Sequence, residues 1–421
     1  MKILMLNKYH YLKGGSERYY LELTRLLESH GHTVIPFSMQ SERNLPSPYE
    51  DYFVPNVEYT GALSPGRRIA VALRTIDYPR ARRNMERLIA DTRPDVVHAH
   101  NVYHQLSYAP LRAARRRGLP VVLTAHDYKL VCPNNSFLSD YAVCEKCGGR
   151  SFYRAFLQRC AKGRLADSFV LMCEAYFNRR LFDVMRCIDR VITPSRFMRD
   201  KFVEHGLPPD RIVHHVNTLD LEAYAPRFGG DGYALYLGRL AREKGVATLL
   251  RAIRRAPGVP VKILGEGEQK DELLRLVAEE RIADVAFLGH RSGPELLDTI
   301  RAASFVVVPS ECYENCPYAV LESFALGKPV VGARIGGIPE LIEDGANGYL
   351  FAPANAEDLA DKIRALASDE ERVRAFGRAA RAKVEREFDP QDHYRFILGV
   401  YEDLLNRRRR RPRRLLPLCF L

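Results

Sequence analysis

Residues 3–31, ILMLNKYHYLKGGSERYYLELTRLLESHG, carry the pattern that most clearly indicates the fold class. Residues 3–6 form a short, wholly apolar stretch, as in a buried strand, and Gly14-Gly15 lies in the loop that follows. Apolar side chains then recur at helical spacing over residues 16–29, and Gly31 is placed to end the helix. A strand, a glycine-bearing loop and a helix in this order indicate the first unit of a parallel α/β domain.

The same alternation continues along the chain. Two series of candidate strands with helical patterns between them predict two doubly wound, Rossmann-like parallel-sheet domains in tandem, with a cleft between them. The predicted strands are 3–6, 96–99, 121–124 and 190–193, then 233–237, 261–264, 285–288, 305–308 and 330–331. The predicted boundaries are an N-terminal domain over 1–216, a linker over 217–232, a C-terminal domain over 233–388, a helix over 389–405 and a tail over 406–421.

The composition excludes several classes of protein. With 46% hydrophobic and 28% charged residues among 421, the chain is globular rather than disordered. No run approaches the roughly 18–20 apolar residues of a membrane span, and residues 3–6 are too short for a signal-peptide core. We therefore expect a soluble cytoplasmic protein whose nine cysteines are reduced.

The net charge of +12 is concentrated near the C-terminus. Residues 407–414, RRRRRPRR, hold seven arginines, and removing seven from +12 leaves +5. One interpretation is a solvated tail; the other is a peripheral contact with an anionic membrane, since the apolar residues 415–421 follow the arginines. No zinc-finger, RNA-recognition or helix-turn-helix signature is present, so nucleic acid is not an expected partner.

Residues 309–329, PSECYENCPYAVLESFALGKP, include two glutamates eight positions apart, Glu314 and Glu322. Pro317 suits the first turn of a helix, whose N-terminus attracts a phosphate. Glu314 lies in the loop before that helix and Glu322 on it, so both can face one pocket at the carboxyl edge of the sheet. There they would accept hydrogen bonds from sugar hydroxyls; alternatively, both are ordinary solvated charges.

Residues 238–245, GRLAREKG, directly follow a predicted strand. Arg239 and Lys244 in this loop can neutralise a diphosphate, although they can equally be surface charges. The glycines are weaker signals. Gly14-Gly15 lets backbone approach a phosphate or simply forms a turn, and Gly265 and Gly267 can leave room for a nucleotide base.

Three histidines follow or lie on neighbouring predicted strands. His126 comes just after residues 121–124 and can donate a hydrogen bond to a sugar hydroxyl or a leaving phosphate, or bond within the fold. His98 and His100 should alternate faces, which makes His98 structural and His100 a candidate cleft residue.

Four cysteines in an insert over 132–160 form a C-x11-C-x2-C-x12-C pattern. In a reducing compartment this spacing favours a structural zinc ion over disulfides, with free thiols as the alternative. The candidate zinc ligands are Cys132, Cys144, Cys147 and Cys160.

Together these segments resemble the family-4 (group 1) glycosyltransferases, retaining sugar-nucleotide enzymes of the GT-B fold. The resemblance covers nearly the whole chain up to the arginine tail, and the glutamates eight positions apart are its most specific mark. Asn315-Cys316 departs from the Gly-Phe or Ser-Phe common after the first glutamate, which leaves the sugar preference open. The resemblance rests on Gly14-Gly15, PDVVHAHN at 94–101, TAHD at 124–127, TPS at 193–195, GRLAREKG, LGEGE, the 309–331 segment and GGIPELIEDGANGYL at 336–350.

The resemblance implies a role for each matched residue. Glu314 and His126 would touch the donor sugar, which makes them the candidate catalytic residues. Residues 233–388 would bind the nucleotide sugar, and the last helix would cross back onto the acceptor-side N-terminal domain. No catalytic metal is expected. The candidate donor-binding residues are Gly14, Gly15, Arg239, Lys244, Gly265, Glu266, Gly267, Arg291, Cys316, Pro317, Tyr318 and Glu322.

The implied reaction moves a sugar from a nucleotide diphosphate to an acceptor hydroxyl with retained configuration, by front-face attack. The implied acceptor is a glycan or lipid-linked glycan of the bacterial cell surface. Three alternatives stay open: a nucleotide-sugar epimerase, a glycoside hydrolase with a close carboxylate pair, and an inactive surface-binding protein.

Overall fold

The computed structural model describes residues 1–56 and 64–410. The strands are β1 (Lys2–Leu6), β2 (Thr33–Phe37), β3 (Val96–Ala99), β4 (Val121–Thr124), β5 (Leu138–Ser139), β6 (Ala142–Val143), β7 (Arg190–Thr193), β8 (Ile212–His214), β9 (Ala234–Leu237), β10 (Val261–Leu264), β11 (Val285–Gly289), β12 (Phe305–Val308), β13 (Val330–Ala333) and β14 (Gly348–Phe351).

The α-helices alternate with these strands. They are α1 (Gly15–Ser29), α2 (Pro65–Ile76), α3 (Pro79–Thr92), α4 (Ala109–Arg116), α5 (Tyr153–Leu157), α6 (Leu165–Tyr176), α7 (Arg196–Glu204), α8 (Val246–Arg255), α9 (Lys270–Glu279), α10 (Gly293–Ala302), α11 (Tyr318–Ala325), α12 (Ile338–Leu341), α13 (Ala356–Ala367), α14 (Glu370–Glu387) and α15 (Pro390–Arg410).

Two six-stranded parallel sheets confirm the predicted fold. Their strand orders are β2-β1-β3-β4-β7-β8 and β11-β10-β9-β12-β13-β14. The three strands of these two sheets that the sequence did not predict, β2, β8 and β14, are all edge strands, and the small β5-β6 sheet was not predicted either. They are short or carry residues uncommon in central strands, such as Pro36 within β2, which an edge position tolerates. The central strands are wholly or mostly buried, as parallel sheets covered on both faces require.

Helix α15 packs on the N-terminal sheet after the chain has completed the C-terminal one. Its Ile397, Tyr401 and Leu404 are buried in one apolar cluster with residues of β1 and α1. The Tyr401 hydroxyl lies 2.6 Å from Nδ1 of His98. Arg407 to Arg410, the first arginines of the predicted tail, form the end of this helix, and residues 411–421 lie outside the described residues. None of the described helices is both long and apolar enough to cross a membrane.

The prediction that His98 and His100 face opposite sides of the sheet is wrong. Their rings stack with centroids 4.6 Å apart, and both side chains are fully buried. The physical reason is that successive side chains of a strand alternate between the two faces, so residues two positions apart, such as His98 and His100, lie on the same face. His98 is held by Tyr401 and by Thr124, at 2.8 Å, as a structural residue should be.

Candidate functional site

The loop between β12 and α11 places Glu314 at the carboxyl edge of the C-terminal sheet. The carboxylate accepts hydrogen bonds from Lys244 Nζ at 2.5 Å and from the Ser310 hydroxyl at 2.7 Å. Burial would raise the pKa of the Glu314 carboxyl, but the Lys244 ammonium and the Ser310 hydroxyl together lower it below its usual value. Glu314 is therefore a charged, fixed acceptor at neutral pH rather than a proton donor.

Pro317 lies one residue before α11 rather than in its first turn, with ψ at 120°. The preceding residue, Cys316, is buried. Helix α11 starts at Tyr318, so its free main-chain N–H groups point toward the same edge as Glu314. Such a helix start stabilises an anion.

The two cations of the β9–α8 loop differ in their surroundings. Lys244 is three-quarters buried against Glu314, which raises the pKa of the ammonium although burial opposes that shift. The Arg239 side chain is 61% exposed and bonds Glu243 of its own loop. The structure thus brings one of the two predicted diphosphate ligands to the glutamate and leaves the other at the rim.

Glu322 of α11 makes a contact that the sequence analysis missed. Its carboxylate is buried and bonds the guanidinium of Arg18, which belongs to α1 of the N-terminal domain. Arg18 also bonds the Tyr224 hydroxyl and, at 2.8 Å, Glu22. One signal existed in the sequence: Arg18 is a cation near the N-terminus of α1, where it opposes the helix dipole unless a carboxylate offsets it.

His126 is partly buried on the opposite wall, after β4. Its Nε2 lies 3.1 Å from Nδ1 of His100, and burial lowers the pKa of the His126 imidazole to about 3. The ring is therefore neutral near pH 7. The side-chain amide of Asn315 donates to the His126 main-chain oxygen at 2.8 Å, which ties the glutamate loop of one domain to the histidine loop of the other. Sequence reasoning treated Asn315 only as a departure from the family pattern.

The predicted glycines have close neighbours. A Cβ on Gly15 would lie 3.3 Å from the ring of Tyr318, so this glycine lets α1 approach the start of α11. A Cβ on Gly265 would lie 1.8 Å from the Gly238 oxygen, and one on Gly267 would lie 2.2 Å from the Leu240 oxygen. The space at Gly265 and Gly267 is thus filled by the neighbouring backbone rather than left for a base.

The remaining predicted donor residues engage in local contacts. Glu266 pairs with Lys270 at 2.8 Å, and Arg291 pairs with Glu295 at 3.2 Å. Gly14 precedes α1 in an extended conformation that any residue can adopt. These residues lie at the same edge of the C-terminal sheet or in the loop that faces it. None of them bonds Glu314 or Glu322 in the described contacts.

The four cysteines of the insert lie near one another. The pKa of the Cys147 thiol is raised to about 12, first by burial and then by the charges of Cys132, Cys160 and Cys144. Among the described residues, however, three or more potential metal-ligand atoms lie within 4.8 Å of one another only in Glu145, Glu204 and His205. This group includes no cysteine. Zinc binding would require the four sulfurs to move closer together, and the zinc ion stays a prediction.

The insert also reaches the glutamate loop. The Tyr313 hydroxyl, next to Glu314, donates to Glu145 at 2.6 Å, and His205 Nε2 lies 3.2 Å from the other Glu145 oxygen. The Lys201 ammonium lies 3.0 Å from Glu145 and 2.9 Å from Glu204, so the carboxylates are already compensated without a metal ion. This contact was not predicted, because Glu145 and Tyr313 lie 168 positions apart.

The chain matches two sequence families. The family described as Glycosyltransferase Family 4 matches residues 13–223, and Glycosyl transferases group 1 matches residues 223–383. Glycogen synthase of Mycobacterium tuberculosis is 34% identical over 221 residues, which cover 49% of this chain and 52% of that protein. D-inositol 3-phosphate glycosyltransferase of Saccharomonospora viridis is 32% identical over 243 residues, covering 52% of this chain and 56% of that protein. The chain spans about half the length of these curated relatives.

Solved structures share the fold over nearly the whole chain. Sucrose-phosphate synthase from Thermosynechococcus elongatus has a TM-score of 0.70 at 18% identity, covering 96% of this chain and 99% of that one. Anabaena Alr3699/HepE in complex with UDP has a TM-score of 0.65 at 18% identity, covering 96% of this chain and 100% of that one. The fold is therefore the two-domain GT-B architecture of such proteins.

Proposed function

Since the chain belongs to glycosyltransferase family 4, we propose that it transfers a sugar from a nucleoside diphosphate to an acceptor hydroxyl with retained configuration. The observation that carries the proposal is the Lys244–Glu314 pair beside the start of α11, facing His126 across the Asn315 bridge. A cation and a helix N-terminus can hold a departing diphosphate, and an ionised carboxylate can orient the sugar.

Donor binding then requires an exchange of partners. The diphosphate would accept from Lys244 and from Arg239, whose exposed side chain is free to turn inward. Glu322 would accept from the ribose hydroxyls, which means that Arg18 gives up its present bond to that carboxylate. Arg18 would remain beside the phosphates as a third cation. Anabaena Alr3699/HepE, whose structures contain UDP and UDP-glucose, supports a nucleotide-sugar donor.

The proposed chemistry is front-face attack. The carboxylate nearest His126 in sequence, Asp127, accepts from the Tyr103 hydroxyl at 2.5 Å, from Asn135 at 3.0 Å and from the Lys129 N–H at 3.0 Å. A carboxylate with three donors is a poor nucleophile. The departing phosphate would therefore take the proton of the acceptor hydroxyl, and domain closure would exclude water.

The proposed acceptor is a glycan or lipid-linked glycan of the bacterial cell surface, reached at the cytoplasmic face of the plasma membrane. The support for this part is the family resemblance and the arginines that end α15. No catalytic metal is part of the proposal, because cations of the chain itself supply the positive charge.

The first test is thermal unfolding with UDP, GDP, ADP and dTDP. A nucleotide that binds the folded state raises the melting temperature, and Arg239→Ala should abolish the selective shift. A panel of sugars on the preferred nucleotide follows. Glu314→Ala should lower transfer by about 10²–10³-fold or more while nucleotide binding is retained. Glu311→Ala in the same loop is the matched control, since Glu311 bonds Thr248 instead. Full activity in Glu314→Ala would refute the assignment.

A further inference from the structure

The N-terminal domain contains a cavity of about 550 Å³ that the donor site does not use. It lies between the cysteine insert, the segment that follows α6 and the loop after α7. Its lining is strongly basic, with Asp183 the one acid among the lining residues. The arginines are Arg150, Arg179, Arg180, Arg186 and Arg211.

Most of this positive charge has no acid to balance it. Arg186 lies 3.5 Å from Asp183, and Arg211 donates to the Met185 main-chain oxygen at 2.6 Å. The Nε atom of Arg179 is buried without a hydrogen-bond partner in the described structure. A buried donor without an acceptor is costly, so the described residues compensate this guanidinium group only in part. A concave surface of one sign of charge also concentrates the field at its centre.

The local backbone presents two of these arginines. At its C-terminal end α6 widens into a π-turn over Phe177–Leu181, which carries Arg179 and Arg180. A π-turn inserts an extra residue into a helix and is frequent at functional sites. The turn lets one segment supply two adjacent guanidinium groups, each able to form a paired contact with an oxyanion.

The cavity is connected to the transfer site through side chains already described. His205 lines the cavity and contacts Glu145 at 3.2 Å. Glu145 accepts from the hydroxyl of Tyr313, the residue before Glu314. The cavity therefore lies two side chains away from the loop that carries the proposed catalytic carboxylate.

We propose that this arginine cavity binds a phosphate-bearing group of the acceptor, with a diphosphate as the best match. Five guanidinium groups against one carboxylate fit a multiply charged anion better than the single charge of a uronate. The assignment to the acceptor rests on the proposed function, whereas the binding of the anion does not. The phosphate has two chemical sources, a soluble phosphorylated sugar or the head group of a lipid-linked one.

Pyrophosphate is the first probe. Its affinity is measured calorimetrically for the full chain, in an excess of the nucleotide that stabilises it most, so that the donor site is filled. The double variant Arg150→Gln/Arg180→Gln removes two exposed charges at the cavity and should weaken binding by about tenfold or more. Arg116→Gln/Arg117→Gln removes two exposed arginines at the end of α4 and should leave binding unchanged.

Equal pyrophosphate affinity in the two double variants, or loss of all pyrophosphate binding when nucleotide is added, would overturn the proposal. If no nucleotide binds, the proposed function fails, yet a difference between the two variants would still establish the anion site. Glucose 1-phosphate then represents the soluble source, and phosphatidylcholine vesicles with and without phosphatidic acid represent the lipid source. Cavity-dependent binding to either identifies the source, and binding to neither contradicts an acceptor role.

Discussion

The two walls of the cleft carry charge in opposite ways. The N-terminal wall is built from buried imidazoles, and burial lowers the pKa of His98 and of His126 to about 3. The C-terminal wall is built from ion pairs, in which Lys244 keeps Glu314 ionised. At neutral pH these imidazoles are neutral hydrogen-bonding groups, whereas the C-terminal pair offers fixed charges. A charged donor would therefore meet fixed charges mainly on the second wall, with Arg18 as the cation that the first wall contributes.

The histidines of the chain follow the same division. Eleven of the twelve lie outside residues 233–388, where His290 is the only one. Acid should therefore act mainly on the N-terminal domain and on α15, whose His393 also has a pKa lowered to about 3, chiefly by burial.

The largest effect is expected from acid on the N-terminal wall. A buried histidine with a folded pKa near 3 contributes stability that is complete above the unfolded pKa of about 6.5 and is lost as the pH falls toward 3. Between pH 7.5 and 5, His98 and His126 should each remove about 2 kcal/mol from the free energy of unfolding. Hydrogen-exchange protection of β3 and β4, corrected for intrinsic rates, should fall accordingly.

Variants sharpen this test. His98→Gln should reduce the loss of unfolding free energy between pH 7.5 and 5 by the contribution of one histidine, even if it lowers stability at every pH. His290→Gln in the C-terminal domain should leave the pH dependence unchanged, since His290 is exposed. Strands β9 and β12 should keep their protection over the same range, and an equal loss in both sheets would contradict the contrast.

The next effect concerns the C-terminal wall. Lys244→Met leaves Glu314 without its ammonium partner, and we expect the free energy of unfolding to fall by about 3 kcal/mol. Lys244→Met/Glu314→Gln should recover most of that loss, because no unpaired charge remains. Lys270→Met, which removes the exposed pair with Glu266, should cost under about 1 kcal/mol. The free energy of unfolding of all three variants is measured by urea titration, with hydrogen exchange in β12 and α11 as the local readout. If the double variant recovers no stability, Lys244 stabilises the fold by packing rather than by its charge.

The smallest effect is expected at the ion pair between the domains. Arg18→Gln removes charged hydrogen bonds to Glu322 and to the Tyr224 hydroxyl, and should lower stability by about 1.5–2 kcal/mol. Arg25→Gln is the matched control, since Arg25 is exposed on the same helix. Exchange should rise on both sides of the cleft in Arg18→Gln. A change confined to α1 would show that the bond to Glu322 does not hold the domains together.

Much of the fold could be predicted from the sequence because strand and helix periodicity reflect local burial. Five of the nine predicted strands agree with the structure to the residue, for example Val96–Ala99 and Phe305–Val308. The three strands of the six-stranded sheets that escaped prediction, β2, β8 and β14, are edge strands, where one row of partners is missing and a residue such as Pro36 is tolerated. The boundary at Pro317 was predicted one residue early because its φ suits both a helix start and the residue before it.

The local pattern of the sequence is enough to predict two parallel sheets and to place Glu314, Lys244 and His126 at their carboxyl edges, since each lies in the loop that follows a strand. Which side chains meet there depends on the tertiary structure. Arg18 reaches Glu322 across 304 positions, and Asn315 reaches His126 across 189. Periodicity reports whether a side chain is buried by its own element, but a partner in the other domain depends on how the two sheets are placed, which no local pattern encodes.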